Sequence, residues 1–136
     1  MNEIPAPASR KYVDREMGEL GRQFYRRLAE DGSLATTRCE SCAETHFPPR
    51  ERCAECGAET TWIELPREGR LHAFTTQSTA LRFGAPAVLA LAEVGDVVVP
   101  GIAEAAYEDL EIGQAVRVDL RVEADTGLTL LAFSSA

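Results

Sequence analysis

The sequence predicts a mainly β fold that is preceded by one N-terminal helical segment. Three observations support this prediction: apolar residues at helical spacing before residue 32, four cysteines between residues 39 and 56, and alternating apolar and polar positions after residue 66. We therefore expect a flexible tail and helical segment over residues 1–33, a cysteine-rich segment over 34–65 and a β domain over 66–136.

The first apolar pattern predicts helical structure from about Ser9 to Asp31. Its positions are four, three, four and four residues apart, which is one stripe of a 3.6-residue period: Val13, Met17, Leu20, Phe24 and Leu28. Gly18 and Gly21 weaken the middle, so one long helix and two short helices both remain open. Gly32 occupies the place of a C-terminal helix cap.

The cysteines form two pairs, Cys39-x2-Cys42 and Cys53-x2-Cys56, with ten residues between the pairs. Two such knuckles direct four sulfurs at one centre, which gives the tetrahedral site that zinc favours. Iron at the same sulfurs remains open, because geometry alone does not exclude it. A thioredoxin-like redox pair fits less well, because it needs a single such motif in a βαβ setting. The spacing predicts a rubredoxin-like zinc ribbon with four cysteine ligands.

A site of this kind is structural. Four thiolate ligands leave no open coordination position for water or substrate. The free energy of metal binding then contributes to the folding of a segment that is too short for a core of its own. His46 lies between the two pairs, but four sulfurs already complete the coordination shell, so we expect it to be a packing or surface residue.

The remaining sequence predicts strands. In AVRVDLRVE, residues 115–123, apolar and charged positions alternate with a period of two, which is typical of a strand with one buried face. Four other segments predict further strands: RLHAFTTQST, AVLALAEV, DVVVPGIAE and GLTLLAFS. Five short strands separated by glycine-containing turns favour an OB-like barrel, because closure removes exposed edges. A turn of helix fits AAYEDLEIGQ, before the fourth strand.

The charge is unevenly distributed. Residues 1–70 carry 11 basic and 13 acidic side chains, and residues 71–136 carry 3 and 9, so the balances are −2 and −6. An acidic C-terminal half repels polyanions, which argues against a nucleic-acid partner. No apolar run approaches the roughly 20 residues of a membrane helix, and the N-terminus has no hydrophobic signal core. We expect a cytoplasmic protein, in which paired cysteines bind metal.

The motifs occur in a recognisable order: FYRRLAEDGSLATTRCESC, then FPPRERCAECG and Trp62, then GRLHAFTT, APAVLALAEV and LEIGQAVRV. In this order the chain resembles the bacterial and archaeal zinc-ribbon/OB-fold family that is catalogued as domain of unknown function 35. The resemblance covers about residues 17–133. Members of that family are usually non-catalytic partners of thiolase-superfamily enzymes that act on acyl-CoA thioesters.

The resemblance implies a hetero-oligomer in which a thiolase or thiolase-like aldolase large subunit holds the catalytic residues. Cleavage of an aromatic or steroid side-chain acyl-CoA is one example of the implied reaction. By position, the resemblance assigns four zinc ligands, Cys39, Cys42, Cys53 and Cys56. It also makes Phe24 and Tyr25 the family's aromatic pair on the helix, a candidate contact with the partner or with acyl-CoA.

Three further residues are candidate contacts with the partner or the acyl-CoA ligand. Arg22 and Arg26 lie one helical turn apart and can meet CoA phosphates, although pairing with neighbouring helix carboxylates is the favoured alternative. Phe83 lies in the loop LRFGAP, residues 81–86, which matches a variable barrel loop of the family.

The sequence contains no recognisable active site. A thiolase attacks with a cysteine thiolate, and every cysteine here is assigned to zinc. His46 and His72 are the only imidazoles, and neither lies in a nucleophile motif. Two alternatives to the accessory role remain. One is a stand-alone acyl-CoA-binding protein. The other, less favoured, is a nucleic-acid-binding OB module, which calls for a basic face with stacking aromatics.

Overall fold

The computed structural model describes residues 6–77, 87–122 and 129–136, with the backbone alone at residues 6–17, 77 and 87. One helix is followed by eight strands in these ranges: α1 (Ala6–Asp31), β1 (Ala35–Cys39), β2 (Thr45–His46), β3 (Thr60–Glu64), β4 (Glu68–Gln77), β5 (Ala87–Val94), β6 (Val97–Ala103), β7 (Ala115–Val122) and β8 (Thr129–Ser135). A 3-10 turn, Tyr107–Asp109, lies between β6 and β7. The candidate residue Phe83 and its loop lie outside the described ranges.

Helix α1 contains a break at one of the two glycines. Gly18 has φ 71° and ψ −174°, so helical geometry stops there and resumes in the next residue. The C-terminus is a left-handed cap, as predicted: Gly32 has φ 68°, and its N–H donates to the Leu28 carbonyl at 3.2 Å. Phe24 and Leu28 of the predicted apolar stripe are buried. None of the helices in the described ranges is long and apolar enough to span a membrane.

The cysteine-rich segment forms a small antiparallel sheet in the order β2-β1-β3. Strand β1 is central, and its register places Thr37 opposite His46 on one side and opposite Trp62 on the other. Thr36 and Thr37 are buried. Sequence patterns did not predict these strands, because β1 and β3 lack a regular alternation of apolar and polar residues and β2 has two residues.

The C-terminal half is a closed five-stranded barrel in the order β4-β5-β6-β8-β7, which confirms the OB-like prediction. All neighbouring pairs are antiparallel except β6 and β8, which run parallel. The described interior contains side chains from all five strands: Leu71, Ala90, Ala92, Val94, Val97, Val99, Ala103, Val116, Val118, Leu131 and Phe133. The alternation in β7 predicted that Val122 would also be buried, but at the strand end it is 61% exposed.

Glycine is required where barrel strands approach most closely. A Cβ atom at Gly69 would collide with the backbone carbonyl of Glu93 on the neighbouring strand. A Cβ atom at Gly101 would lie 2.7 Å from the Leu131 carbonyl oxygen and 2.9 Å from the ring of Phe133. Both distances are shorter than van der Waals contact, so these glycines allow the barrel to close around its largest interior side chain.

Arg67 joins the helix, the segment that links ribbon to barrel, and the barrel wall. Its Nη1 donates to the Gly32 carbonyl at 2.9 Å, its Nε donates to the Val118 carbonyl at 2.7 Å, and its Nη2 lies 2.7 Å from Asp119 Oδ1. The Val118 N–H donates back to the Arg67 carbonyl at 2.8 Å. These bonds fix the C-terminal end of α1 against strand β7.

Candidate metal centre

The four cysteine sulfurs lie together at one end of the ribbon. All four Sγ atoms of Cys39, Cys42, Cys53 and Cys56 fall within 4.8 Å of one another. Two close separations join the knuckles: Cys39 Sγ to Cys56 Sγ at 3.5 Å and Cys42 Sγ to Cys53 Sγ at 3.6 Å. Four sulfurs bound at about 2.3 Å around a tetrahedral zinc ion are about 3.8 Å apart, so the cluster has the dimensions of such a site.

Each knuckle turns its backbone amides towards the first sulfur of its pair. The N–H groups of Ser41 and Cys42 both lie 3.3 Å from Cys39 Sγ, and the Glu55 N–H lies 3.3 Å from Cys53 Sγ. Amide donors favour a thiolate over a neutral thiol. The turns therefore prepare the sulfurs for the deprotonated form that binds metal.

The two knuckles repeat the same backbone hydrogen bonds. In the first, the Ala43 N–H donates to the Cys39 carbonyl at 3.1 Å, and in the second the Gly57 N–H donates to the Cys53 carbonyl at 3.0 Å. Ala43 and Gly57 have φ angles of 65° and 77°. The repeat explains the Cys-x2-Cys spacing, because each turn brings its second sulfur back beside the first.

The crowded sulfurs do not lose their protons with equal ease. The Cys42 N–H is the main cause that lowers the pKa of Cys39 to about 6. The Glu44 N–H acts to lower the pKa of Cys42, but hydrogen bonds with the sulfurs of Cys53 and Cys39 outweigh it and raise that pKa to about 12. Neighbouring thiolates repel one another, so four of them need a cation between them. The donor set therefore fits a divalent metal ion.

Coordination by four sulfurs leaves the metal no open position. Cys39 and Cys53 are buried, while Cys42 and Cys56 are exposed, so the centre lies at the surface of the ribbon. His46 is buried outside the four-sulfur cluster, and its Nε2 has no hydrogen-bond partner among the described residues. The arrangement can bind a structural zinc ion and hold the two knuckles together.

Backbone and threonine hydrogen bonds support the segment between the knuckles. The Arg50 N–H donates to Thr37 Oγ1 at 2.8 Å, and Thr60 Oγ1 donates to the Arg50 carbonyl at 2.6 Å. The Thr36 hydroxyl donates to the His46 carbonyl. These contacts tie the FPPR segment to strands β1 and β3, so the ten residues between the cysteine pairs are held against the sheet.

An aromatic cluster joins the helix to the ribbon. Phe24 is 2% exposed and packs edge-on against Tyr25 at 5.0 Å and Phe47 at 5.4 Å between ring centroids. Tyr25 is half-buried, and its burial raises the pKa of its phenol. The guanidinium of Arg27 lies 4.4 Å from the centre of the Trp62 ring. Of the predicted aromatic pair, Phe24 is therefore a core residue.

The predicted basic contacts remain on the surface of α1. Arg22 Nη2 lies 3.1 Å from Glu19 Oε1, which is the helix-surface pairing that the sequence favoured. Hydrogen bonds from Gln23 and Arg22 lower the pKa of the Glu19 carboxyl group. Arg26 is exposed. Arg22 and Arg26 lie on the same helix as Phe24 and Tyr25, whereas the four sulfurs form a separate site on the ribbon.

Sequence reasoning missed the partners of the aromatic cluster. The motif order uses Trp62 only as a marker after the second knuckle and predicts no contact between Trp62 and Arg27. A signal was available, because Arg27 follows Phe24 by three residues and therefore lies on the same helix face. The roles of Phe47 and Arg67 had no local signal, since both depend on contacts between distant segments.

Two family models match consecutive parts of the chain. The model described as ChsH2, rubredoxin-like zinc ribbon domain, matches residues 26–61, and the model described as ChsH2, C-terminal OB-fold domain, matches residues 62–121. The order of the two matches is the order of ribbon and barrel in the structure. The chain belongs to the ChsH2-type zinc-ribbon/OB-fold family. This confirms the resemblance to domain of unknown function 35.

Solved structures of this zinc-ribbon/OB-fold family share the architecture. A chain of the Ltp2-ChsH2(DUF35) aldolase is 27% identical with a TM-score of 0.68, and the match covers 84% of this chain and 93% of that chain. A DUF35-family protein of unknown function from Sulfolobus solfataricus is 14% identical with a TM-score of 0.66, covering 96% and 95%. The second match shows the fold alone. No curated protein sequence matches the chain significantly.

Proposed function

We propose that the chain is the small, non-catalytic subunit of a hetero-oligomer whose large subunit is a thiolase or thiolase-like aldolase acting on an acyl-CoA thioester. The main support for the proposal is one structural similarity. This chain is 27% identical, over 84% of its length, to a chain of the Ltp2-ChsH2(DUF35) aldolase. Cleavage of an aromatic or steroid side-chain acyl-CoA fits such a complex. Its place of action is then the cytoplasm.

The residue inventory supports a role outside the chemical step. Thiolase-type chemistry needs a thiolate nucleophile and an acid–base group. All four cysteines of the chain belong to the sulfur cluster. Of the two histidines, His46 is buried, and His72 is engaged through Nδ1 with Glu93 Oε2 at 2.9 Å on the barrel surface. The catalytic residues then belong to the partner.

The metal centre serves this proposal as a structural element. We take the ion to be zinc, because four thiolates in a ribbon are its preferred closed site. Its binding free energy would stabilise the segment that carries Phe47 and Trp62, against which the helix packs. The ribbon would thereby hold Tyr25 and Arg26 in place for contact with the large subunit or with the CoA moiety.

A pull-down followed by reconstitution tests the proposal. The tagged chain is purified from its native host, and the co-eluting proteins are identified by mass spectrometry and quantified. We expect a thiolase-superfamily protein in near-equal amount. The complex, the large subunit alone and the small chain alone are then assayed for cleavage of acyl-CoA thioesters. Only the samples that contain the large subunit should cleave the thioester substrate.

Other outcomes would overturn the assignment. Turnover by the purified small chain alone would place catalysis in this chain. Absence of a stoichiometric partner, together with acyl-CoA binding by the isolated chain in calorimetry, would establish a stand-alone acyl-CoA-binding protein. A salt-dependent complex with single-stranded RNA or DNA would establish a nucleic-acid module, a role that the acidic charge of residues 71–136 opposes.

A further inference from the structure

The loop between β6 and β7 exposes two large apolar side chains. Tyr107 is 46% exposed and Ile112 is 64% exposed. Five large hydrophobic residues are exposed within the described ranges, and these two fall within six consecutive residues, YEDLEI. We name residues 107–112 the YEDLEI loop. Exposed apolar surface concentrated in one loop is typical of an interaction site.

The same loop carries negative charge that no ion pair with another described residue neutralises. Glu108, Asp109 and Glu111 are exposed, and none of them forms an ion pair with another described residue. By contrast, Glu104, which precedes the loop, lies 3.2 Å from Arg121. Three carboxylates within four residues repel one another unless cations approach from outside. This charge is an observation independent of the exposed apolar side chains.

The YEDLEI loop is held rigidly despite its exposure. The ring of Tyr107 packs edge-on against Phe74 of β4, with 5.1 Å between centroids. Leu110 packs against the hydrophobic core. The Gly113 N–H donates to the Leu71 carbonyl at 2.7 Å, and the Leu110 N–H donates to the Tyr107 carbonyl at 3.2 Å. A pre-organised surface loses little conformational entropy on binding, so the loop is suited to docking.

The chemistry of the loop selects one kind of partner. A twofold contact between two copies would place the three carboxylates near their own equivalents, which is repulsive. Nucleic acids and anionic lipid surfaces are repelled for the same reason. A protein surface with an apolar pocket and a rim of arginine or lysine satisfies both features, because it covers Tyr107 and Ile112 and neutralises the carboxylates.

We propose that the YEDLEI loop is a docking surface for the large subunit, and that Tyr107 and Ile112 enter an apolar pocket rimmed by basic residues. This inference rests on the proposed function, since it assigns the surface through which the two subunits meet. The acidic balance of the barrel half, −6 over residues 71–136, would steer the encounter, and the apolar pair would provide the short-range contact.

Binding measurements with two loop variants test the inference. The probe is the purified thiolase-superfamily subunit from the pull-down, titrated with the zinc-loaded chain at about 50 and about 300 mM NaCl. Ile112→Ser should weaken binding about tenfold, because one apolar contact is lost. The triple variant E108K/D109K/E111K should weaken it by about a hundredfold at low salt and should reverse the salt dependence.

Matched variants away from the loop serve as controls. Val122→Ser changes a side chain that is 61% exposed, and E40K/E51K/E55K reverses three exposed charges on the ribbon. Both should bind as the unchanged chain does. Zinc content and melting temperature of all variants should match the unchanged chain, which shows that any loss of affinity is not a loss of folding. Carbodiimide coupling should join loop carboxylates to lysines of the large subunit.

The outcomes separate the inference from the proposed function. If the large subunit binds the loop variants as tightly as the unchanged chain, the docking surface is wrong and the accessory role stands. The same holds if only the ribbon control loses affinity. If the unchanged chain binds no large subunit, the accessory role fails and the docking surface fails with it. Light scattering that shows a dimer formed through the loop would also overturn the inference.

Discussion

Ala43 and Gly57 occupy equivalent positions in the two knuckles, and both have left-handed backbone geometry. Their φ angles are 65° and 77°, and each N–H donates to the carbonyl of the first cysteine of its pair. A left-handed conformation costs a non-glycine residue about 1–2 kcal/mol, whereas glycine adopts it freely. The first knuckle therefore stores backbone strain that the second knuckle avoids.

This difference predicts opposite effects of exchanging the two residues. Ala43→Gly should raise the free energy of unfolding by up to about 1 kcal/mol, because the relief of strain exceeds the added entropy of the unfolded chain. Gly57→Ala should lower it by about 1 kcal/mol. Thermal unfolding of the zinc-loaded chain measures both changes.

Ala54→Gly, within the second knuckle but without positive φ, is the control and should lower stability. Loss of stability in Ala43→Gly would contradict the assignment of strain.

A second prediction concerns Arg67, which contacts Gly32, Val118 and Asp119 through three different nitrogens. The side chain of lysine has a single nitrogen, so it cannot contact Gly32, Val118 and Asp119 at the same time. We expect Arg67→Lys to lower the free energy of unfolding by about 1–2 kcal/mol, a range that allows for solvent screening of the partly exposed ion pair. Hydrogen exchange should accelerate at the C-terminal end of α1, because the Gly32 carbonyl loses its donor.

Arg117 provides the matched control for Arg67. It approaches the same carboxylate, with Nε 3.6 Å from Asp119 Oδ1, but its side chain is more exposed than that of Arg67. Arg117→Lys should change the free energy of unfolding by less than about 0.5 kcal/mol. Equal losses for both variants would mean that charge near Asp119, and not the three-way geometry of Arg67, stabilises the junction.

How well the sequence predicted the structure depended on how far apart along the chain the interacting residues lie. All five barrel strands were predictable, because short apolar segments lie between glycine-containing turns, and in β7 the alternation also marked buried positions such as Val116 and Val118. The cysteine cluster was predictable because the spacing itself defines a knuckle. The ribbon strands were not, since Thr36 and Thr37 are polar residues buried by contacts between distant segments. The junction at Arg67 escaped prediction for the same reason.

A third prediction concerns the metal centre. Cys53→Ser removes one of two buried ligands and should reduce zinc content well below one ion per chain, as measured by mass spectrometry of the metal. The ribbon should unfold, because metal binding contributes to its folding free energy. Trp62, the only tryptophan, lies on β3 of the ribbon, so its fluorescence reports this loss. A strong chelator should give the same spectrum in the unchanged chain.

Ser41→Ala controls for substitution within a knuckle. Ser41 is exposed between the first two cysteines, and it contacts Cys39 Sγ through its backbone N–H, which alanine keeps. Zinc content and fluorescence should remain those of the unchanged chain. Retention of one zinc ion and an unchanged melting temperature in Cys53→Ser would rule out coordination by all four cysteines.

The aromatic pair on α1 gives a final prediction, because the structure separates its two members. Phe24 is buried between Tyr25 and Phe47, so Phe24→Ala should lower the free energy of unfolding of the isolated chain by about 3–5 kcal/mol. Tyr25 is half-buried, and Tyr25→Ala should cost less stability while weakening the complex with the large subunit about tenfold or more. Thermal unfolding and calorimetric titration measure the two effects separately.

Tyr25→Phe keeps the ring contact with Phe24 and should restore the stability lost in Tyr25→Ala. If Tyr25→Ala lowers stability as much as Phe24→Ala and leaves affinity unchanged, the pair is core alone and the partner contact proposed for Tyr25 is wrong.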